Sequence, residues 1–390
     1  MADYDTLCQT LQSSNKWPDH IIHLWNVTAE PTTETAVSFY SLLYLAQALD
    51  KVHTQETTQL HLLAKGLYAI TDIENISAEK RLICGPAKVM PQEFDWIQTQ
   101  LIDVQLPPEN SWLWAELIQL LLAEFGVDAA EQTIAYRGRR RWVLDYVPTP
   151  LQADGTTMPR LRPNTTTLIT GGTGGLGLAV AEMLVEQPAA KLVLLHHSPF
   201  PARESWTGWL ATEDEENPTS RRIQKLIALE EAGAEILLVQ ADVADRTSLQ
   251  TAVSQAEARF GPIQALVHAA GIAGGGLIQL KTRESADAVL APKVQGTRNL
   301  DAIFAERQLD YMLLFFFTHC HSRWHWAVRL LCRQCIFRCF CPGSRRKTAV
   351  SGHQHQLGRL GRSRHGGRNR RARHHPTVAA AAKQPGYFAP

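Results

Sequence analysis

The residues best suited to chemistry lie in one turn. Thr170-Gly171-Gly172-Thr173-Gly174-Gly175-Leu176-Gly177 follows a β-branched run and precedes an amphipathic one. The turn satisfies Gly-x-Gly-x-x-Gly at Gly172, Gly174 and Gly177. It also satisfies Thr-Gly-x-x-x-Gly-x-Gly at Thr170, Gly171, Gly175 and Gly177. A Cβ at such positions would block both the tight turn and the close approach of a pyrophosphate. The helix that follows offers free N–H groups and the positive end of its dipole to that anion. A glycine loop can also do no more than reverse a chain. Its place between a strand and a helix, at the head of an alternating series, favours a dinucleotide site.

Other residues suit the same ligand. Asp242, with Val243 beside it, can accept from an adenine amino group, or cap the next helix. Ala269-Ala270-Gly271 ends a strand with small residues, as needed where backbone passes a nicotinamide ribose, though any strand can leave its sheet this way. His196, His197 and Ser198 stand where an acidic residue would bind a ribose 2′-hydroxyl. The missing carboxylate favours the 2′-phosphate of NADP.

These residues need a sheet to hold them. Thr165–Thr170, Lys191–His197, Ala234–Val243, Ile263–Gly271 and Asp310–Phe317 read as strands. Leu178–Gln187, Arg221–Ala232, Ser248–Phe260 and Ala286–Glu306 read as helices. The strands are apolar without alternation, so both faces are covered. Strand and helix taking turns implies right-handed crossovers, hence an α/β fold with a Rossmann-like doubly wound parallel sheet.

The 390 residues are 45% hydrophobic and 20% charged, with a net charge of +1, enough for two ordinary domains. No apolar run approaches the ~20 residues of a membrane helix, and Met1–Asp5 lacks a signal pattern, so a cytoplasmic location is expected. The net charge hides an asymmetry. Thr318–Pro390 holds 13 Arg and 2 Lys with no acid; the other 317 residues hold 24 Lys and Arg against 38 Asp and Glu. Five of the seven Cys and eight of the fifteen His also fall in that last segment. Two kinds of polypeptide meet near Phe317.

Four segments together resemble the ketoreductase domain of modular polyketide synthases, a complex-type short-chain dehydrogenase/reductase. They are the glycine turn, Ala-Asp-Val-Ala-Asp (241–245), His-Ala-Ala-Gly (268–271) and Pro-Lys-Val-Gln-Gly-Thr (292–297). The usual Gly-Arg-Ser after the second strand is His196-His197-Ser198 here. The resemblance extends to the N-terminal part. His20–Val27, Ala36–Leu49, Gln59–Leu67, Leu82–Gln92, Trp112–Gly126 and Ile134–Val143 give a second, glycine-poor α/β pattern. It is similar to the truncated structural subdomain that precedes the catalytic one in this family, and lacks its first strands. Three regions follow: 1–155 structural, 156–317 NADP-binding and incomplete, 318–390 aberrant. Pro148–Pro163 is the linker. The run Arg137, Arg139, Arg140, Arg141 reads as a solvated strand end beside it, ahead of a phosphate or RNA patch.

The resemblance implies reduction of a β-ketoacyl thioester carried on an acyl carrier protein, with NADP(H) as cofactor and other polyketide synthase domains as partners. It gives Lys293 the role of lowering the pKa of a proton-donating tyrosine, with a serine polarising the carbonyl. A solvated helix lysine is the plain alternative for Lys293. The serine belongs in a Leu-Phe-Ser-Ser pattern, where Leu314-Phe315-Phe316-Phe317 stands, so Phe316 fills its slot. The tyrosine is absent, since no Tyr occurs between Tyr311 and Tyr387.

A single inserted nucleotide accounts for both losses. Back-translated with suitable codons and read with one T removed, Leu313–Cys320 becomes Leu-Leu-Phe-Ser-Ser-Leu-Ile-Ala. In the same frame Arg329–Pro342 becomes Asp-Tyr-Cys-Ala-Ala-Asn-Ala-Phe-Leu-Asp-Ala-Phe-Ala-Gln. His355–Gly367 becomes Ile-Asn-Trp-Asp-Ala-Trp-Glu-Glu-Val-Gly-Met-Ala. All three match the family in order. A frameshift near Phe316 then predicts a disordered basic tail from residue 318 onward, and a destabilised, aggregation-prone product. Cys332, Cys335, Cys339 and Cys341 lack the spacing and scaffold of a structural zinc site, so no metal is expected. Nucleic-acid binding by the arginines ranks below out-of-frame translation. Two functions stay open: a crippled β-ketoacyl reductase, and a non-catalytic dinucleotide-binding or interaction protein with a basic tail.

Overall fold

The computed structural model describes residues 2–28, 36–52, 57–71, 74–127, 132–145, 162–272, 274, 276–315 and 387–389. The described residues build two sheets, each covered by helices.

The first sheet comprises β1 (His20–Asn26), β2 (Thr58–Ala64), β3 (Ile97–Val104), β4 (Thr133–Arg137), β5 (Arg140–Asp145) and β11 (Tyr387–Ala389), in that spatial order. The first four run parallel; β4–β5 is an antiparallel hairpin. Its helices are α1 (Ala2–Ser13), α2 (Ser41–Lys51), α3 (Cys84–Glu93) and α4 (Leu113–Phe125). Leu42, Leu43, Leu60, Leu62, Ile83 and Leu101 form its dry core. The sequence reading missed α1 and β3. Gln98, Gln100 and Asp103 give β3 a polar look, yet Gln100 and Asp103 are buried and bonded inside. The expected strand and helix in this half are otherwise present, with Leu82–Gln92 resolving into a short 3₁₀ turn and α3.

The second sheet has the order β10-β9-β6-β7-β8 and is wholly parallel. Its strands are β6 (Thr166–Thr170), β7 (Lys191–His196), β8 (Glu235–Gln240), β9 (Ala265–His268) and β10 (Tyr311–Leu314). Successive residues feed opposite cores: Leu168, Val193 and Leu195 face one way, Ile169, Leu192 and Leu194 the other. That explains why the strands read as apolar runs. One face is covered by α5 (Gly175–Val185) and α7 (Pro218–Glu231), the other by α8 (Arg246–Phe260) and α9 (Arg283–Phe304). A short helix, α6 (Trp206–Thr212), escaped the sequence reading. It seats the buried Trp206, whose indole N–H donates to Pro201 O at 2.9 Å.

Caps set the helix starts. Asn217 accepts from Thr219 N with Pro218 at the first position of α7. Thr282 and Ser285 form a reciprocal capping box at α9, worth about 1 kcal/mol.

The sheets are joined through the start of α9. Gln47 Nε2 donates to the carbonyls of Ile278 and Lys281 at 2.8 Å each, and Ile278 N donates to Glu93 Oε2 at 2.7 Å. Tyr40 donates to Asp287, and Arg298 pairs with Glu79. Ile278, Ala286 and Leu290 belong to the first sheet's core. Burial, only partly offset by Ile278 N–H, pushes the Glu93 carboxyl up to about 7.

Two expectations need correction. Arg137 is not solvated: its guanidinium bridges Asp103 (2.7 Å) and Glu74 (2.8 Å) with a side chain only 10% exposed. Arg141 grips Glu124, and Arg139 pairs with Glu116. The run is read as solvated because its counter-charges are distant in sequence. The tail is also not wholly without structure. Tyr387–Ala389 pairs antiparallel with β5, satisfying backbone groups that an open edge would leave unpaired. The remaining tail, the five tail cysteines, Phe316 and most of the 148–163 linker lie outside the described residues.

Candidate functional site

The strand order makes β6 a switch point: the chain proceeds from it to β7 and β8 on one side, and returns to β9 and β10 on the other. In such sheets the ligand crevice opens beyond the carboxyl ends of the strands at that point. Thr170–Gly177 follows β6, Ala269–Gly271 follows β9, His197 and Ser198 follow β7, and Asp242 and Val243 follow β8. Thr170 and Ala270, 100 positions apart in sequence, thereby share one edge.

The turn is built by close approach. Gly171 has φ +67°, and a Cβ there would lie 2.9 Å from Ala270 Cα. A Cβ on Gly177 would strike the Gly171–Gly172 backbone, so α5 packs directly on the loop. Gly172 N donates to Leu195 O (2.8 Å) and Gly174 N to Gly171 O (2.9 Å). Thr170 is buried, and its hydroxyl accepts from Ala270 N at 3.2 Å. Thr173 is buried and Leu176 is 39% exposed. Gly175 contrasts with these: nothing lies within 4 Å of a Cβ built there, at the N-terminus of α5. Open space beside the first N–H groups of a helix fits a dinucleotide's pyrophosphate.

Around this cradle, Asp242 Oδ1 accepts from Ala244 N (2.8 Å), and its other oxygen lies 3.9 Å from His197 Nε2. The cap of α8 is Asp245, which accepts from Thr247 N, not Asp242. The acidic side chain three residues further on does that work because it alone sits at the first turn. His197 is exposed, whereas His196 is nearly buried, with Nδ1 2.8 Å from Ser198 O.

Lys293 is 4% exposed in the middle of α9, not a solvated helix lysine, and its Nζ lies 3.5 Å from Ile272 O, beside Gly271. A residue the sequence did not single out holds this helix in place: Asn299 Nδ2 donates to Val243 O (3.0 Å) and Ala244 O (2.8 Å). An amide inside a long helix has no spacing signature, so only the packing shows it.

Residues 165–316 match the KR domain family. A 6-methylsalicylic acid synthase of Aspergillus terreus is 36% identical over 155 residues, 40% of this chain. The polyketide synthase PksM of Bacillus subtilis is 32% identical over 203 residues, 52% of this chain. Residues 165–316 form a KR domain of the polyketide synthase kind. The chain spans 8% and 4% of those two relatives' lengths. An N-terminal ketoreductase from the macrolactin assembly line superposes on the KR domain and the sheet before it with a TM-score of 0.62. It is 26% identical, covering 87% of this chain and 64% of that one. An A-type ketoreductase from a modular polyketide synthase, 23% identical, shares the fold at a TM-score of 0.66 over 87% of this chain and 67% of its own.

Within the KR domain the glycine cradle, the small residues after β9 and Lys293 meet at one edge. β10 reaches it too, with Phe315 N donating to His268 O at 3.0 Å. No helix of the described residues is long and apolar enough to cross a membrane.

Proposed function

We propose that the KR domain binds NADP(H) and derives from a cytoplasmic reductase of β-ketoacyl thioesters held on an acyl carrier protein, within a larger polyketide synthase. The observation carrying this reading is the open glycine cradle at the switch point, with a buried lysine on the helix beside it. The N–H groups at Gly175–Gly177 take the pyrophosphate, Asp242 the adenine, and His197 with Ser198 the 2′-phosphate. Ala269, Ala270 and Gly271 leave room for the nicotinamide ribose. The bound cofactor supplies the hydride. Lys293 is placed to stabilise a phenolate and hold the proton path.

That path has no donor in this chain. Phe316 stands in the serine slot, and no tyrosine lies between Tyr311 and Tyr387. We infer a one-nucleotide insertion near Phe316 and a chain that binds cofactor with little or no turnover. The test has two arms. NADPH fluorescence titration of the full chain should show binding, while NADPH oxidation with a β-keto thioester should be near background. Deleting one T at the Phe316 codon should restore turnover. Turnover by the unaltered chain comparable with intact reductases, or a transcript in which close relatives share this frame, sinks the lesion. Tight nucleic-acid binding lost on deleting residues 318–390 would instead support an interaction protein.

A further inference from the structure

Between the glycine turn and α9 sits a side chain the proposed chemistry does not use. His268 closes β9 and is 3% exposed. Its Nδ1 lies 2.6 Å from Thr170 Oγ1, and its Nε2 lies 3.1 Å from Pro292 O. The ends of this chain set its direction. A carbonyl only accepts, so Nε2 carries the proton. A backbone N–H only donates, so Thr170 Oγ1 accepts from Ala270 N; in a neutral ring with its proton on Nε2, Nδ1 is the bare nitrogen and the Thr170 hydroxyl donates to it. The ring is thus the neutral Nε2–H tautomer, and donation runs from Ala270 through Thr170 and His268 to Pro292.

The acceptor matters because of where it is. Pro292 has no N–H, so the Ala288 carbonyl one turn earlier lacks its helical donor, and the ladder of α9 is interrupted next to Lys293. A helix interrupted there needs an outside anchor to keep a single orientation. His268 supplies one at Pro292, and Asn299 supplies a second, further along, on the loop of Asp242. The two ends of the His268 link are the strand end that bears the glycine turn and the turn of helix that bears Lys293.

We propose that His268 is a positioning residue that sets the Lys293 turn of α9 against the cofactor loop. This rests on the reading of the crevice as a dinucleotide site with Lys293 at its edge. Gln in place of His can donate from its amide nitrogen to Pro292 O and accept from Thr170 with its oxygen. Phe fills the ring's volume and offers neither.

The experiment uses the full chain labelled with ¹⁵N-histidine and ¹³Cε-lysine, with Lys293 assigned through K293R. In the unaltered chain His268 should show the neutral Nε2–H pattern. An Nδ1–H tautomer overturns the proposal without any variant having to fold. H268F should move the Lys293 ¹³Cε resonance and weaken NADPH binding about tenfold, while H268Q keeps the resonance and stays within about twofold in affinity. If H268F lowers only the melting temperature and leaves both readouts in place, His268 is merely structural and the proposal fails. If the unaltered chain binds no NADPH, the dinucleotide reading falls, and the tautomer and the Lys293 resonance still decide the role of His268.

Discussion

The two sheets share an architecture and differ at one edge. In both, the central parallel strands are buried beneath helices. Beyond β6 the KR sheet opens onto a loop with empty space at Gly175. Beyond β2, β3 and β4 the first sheet is filled by charge. Asp103, wholly buried, accepts from Leu67 N and Tyr68 N at 3.1 Å each and from Arg137. Arg137 also donates to Tyr68 O and Glu74. Burial raises the Asp103 carboxyl even against Arg137, whereas at Glu74 burial is outweighed by Arg137 together with the Thr71 hydroxyl and Ile70 N–H, and the carboxyl is lowered. The same fold therefore carries an open glycine turn in one place and a sealed ion cluster in the other. The contents of the loops, not the sheet, decide which.

The largest effect should come from breaking the sealed edge. R137M leaves the Asp103 carboxylate buried without its partner, and should cost about 3–5 kcal/mol in denaturant unfolding. A loss under about 1 kcal/mol would mean the cluster is no keystone of the first sheet. At the open edge, G177V should drive a side chain into the Gly171–Gly172 backbone, weakening NADPH binding roughly 100-fold, about 2.7 kcal/mol. Unchanged affinity there would show that the cradle is not the cofactor's seat.

A smaller effect belongs to the joint between the sheets. Glu93 is pushed up to about 7 by burial, so the folded chain holds its proton more tightly than the unfolded chain, whose value is near 4.5. Its contribution to stability is complete below about pH 4.5 and is lost as pH rises through about 7. Because the carboxyl is partly screened, the loss should be on the order of 1–2 kcal/mol. E93Q should flatten that slope in unfolding experiments run across the window, and an unchanged slope would assign it elsewhere. The smallest effect should follow from R203A. Its partner Glu230 lies at 2.7 Å, but the Arg203 side chain is 52% exposed and the pair sits at the surface, so loss of the ion pair should stay below about 0.5 kcal/mol. A larger cost would erase the contrast between buried and exposed pairs.

Much of this was legible in the residues. The glycine turn, the small residues after β9 and Lys293 are local patterns, and each sits on the element its periodicity predicts. The buried ion cluster was not legible, because Arg137, Asp103 and Glu74 are far apart in the chain and look like surface residues one at a time. Asn299 escaped for the same reason, and β3 hid behind the polar Gln100 and Asp103, which are buried and bond inside the core.

Local periodicity determined the alternating strands and helices of the KR domain, since each strand and helix records in its own residues which faces are covered. Residue identity alone shows that no tyrosine lies between Tyr311 and Tyr387. Only the tertiary structure decided that the edge of the first sheet is closed, that α9 is held at Pro292 and Asn299, and that His268 meets Thr170 and Pro292 at once. Those outcomes depend on which distant polar groups meet in the dry interior, where each donor must find an acceptor.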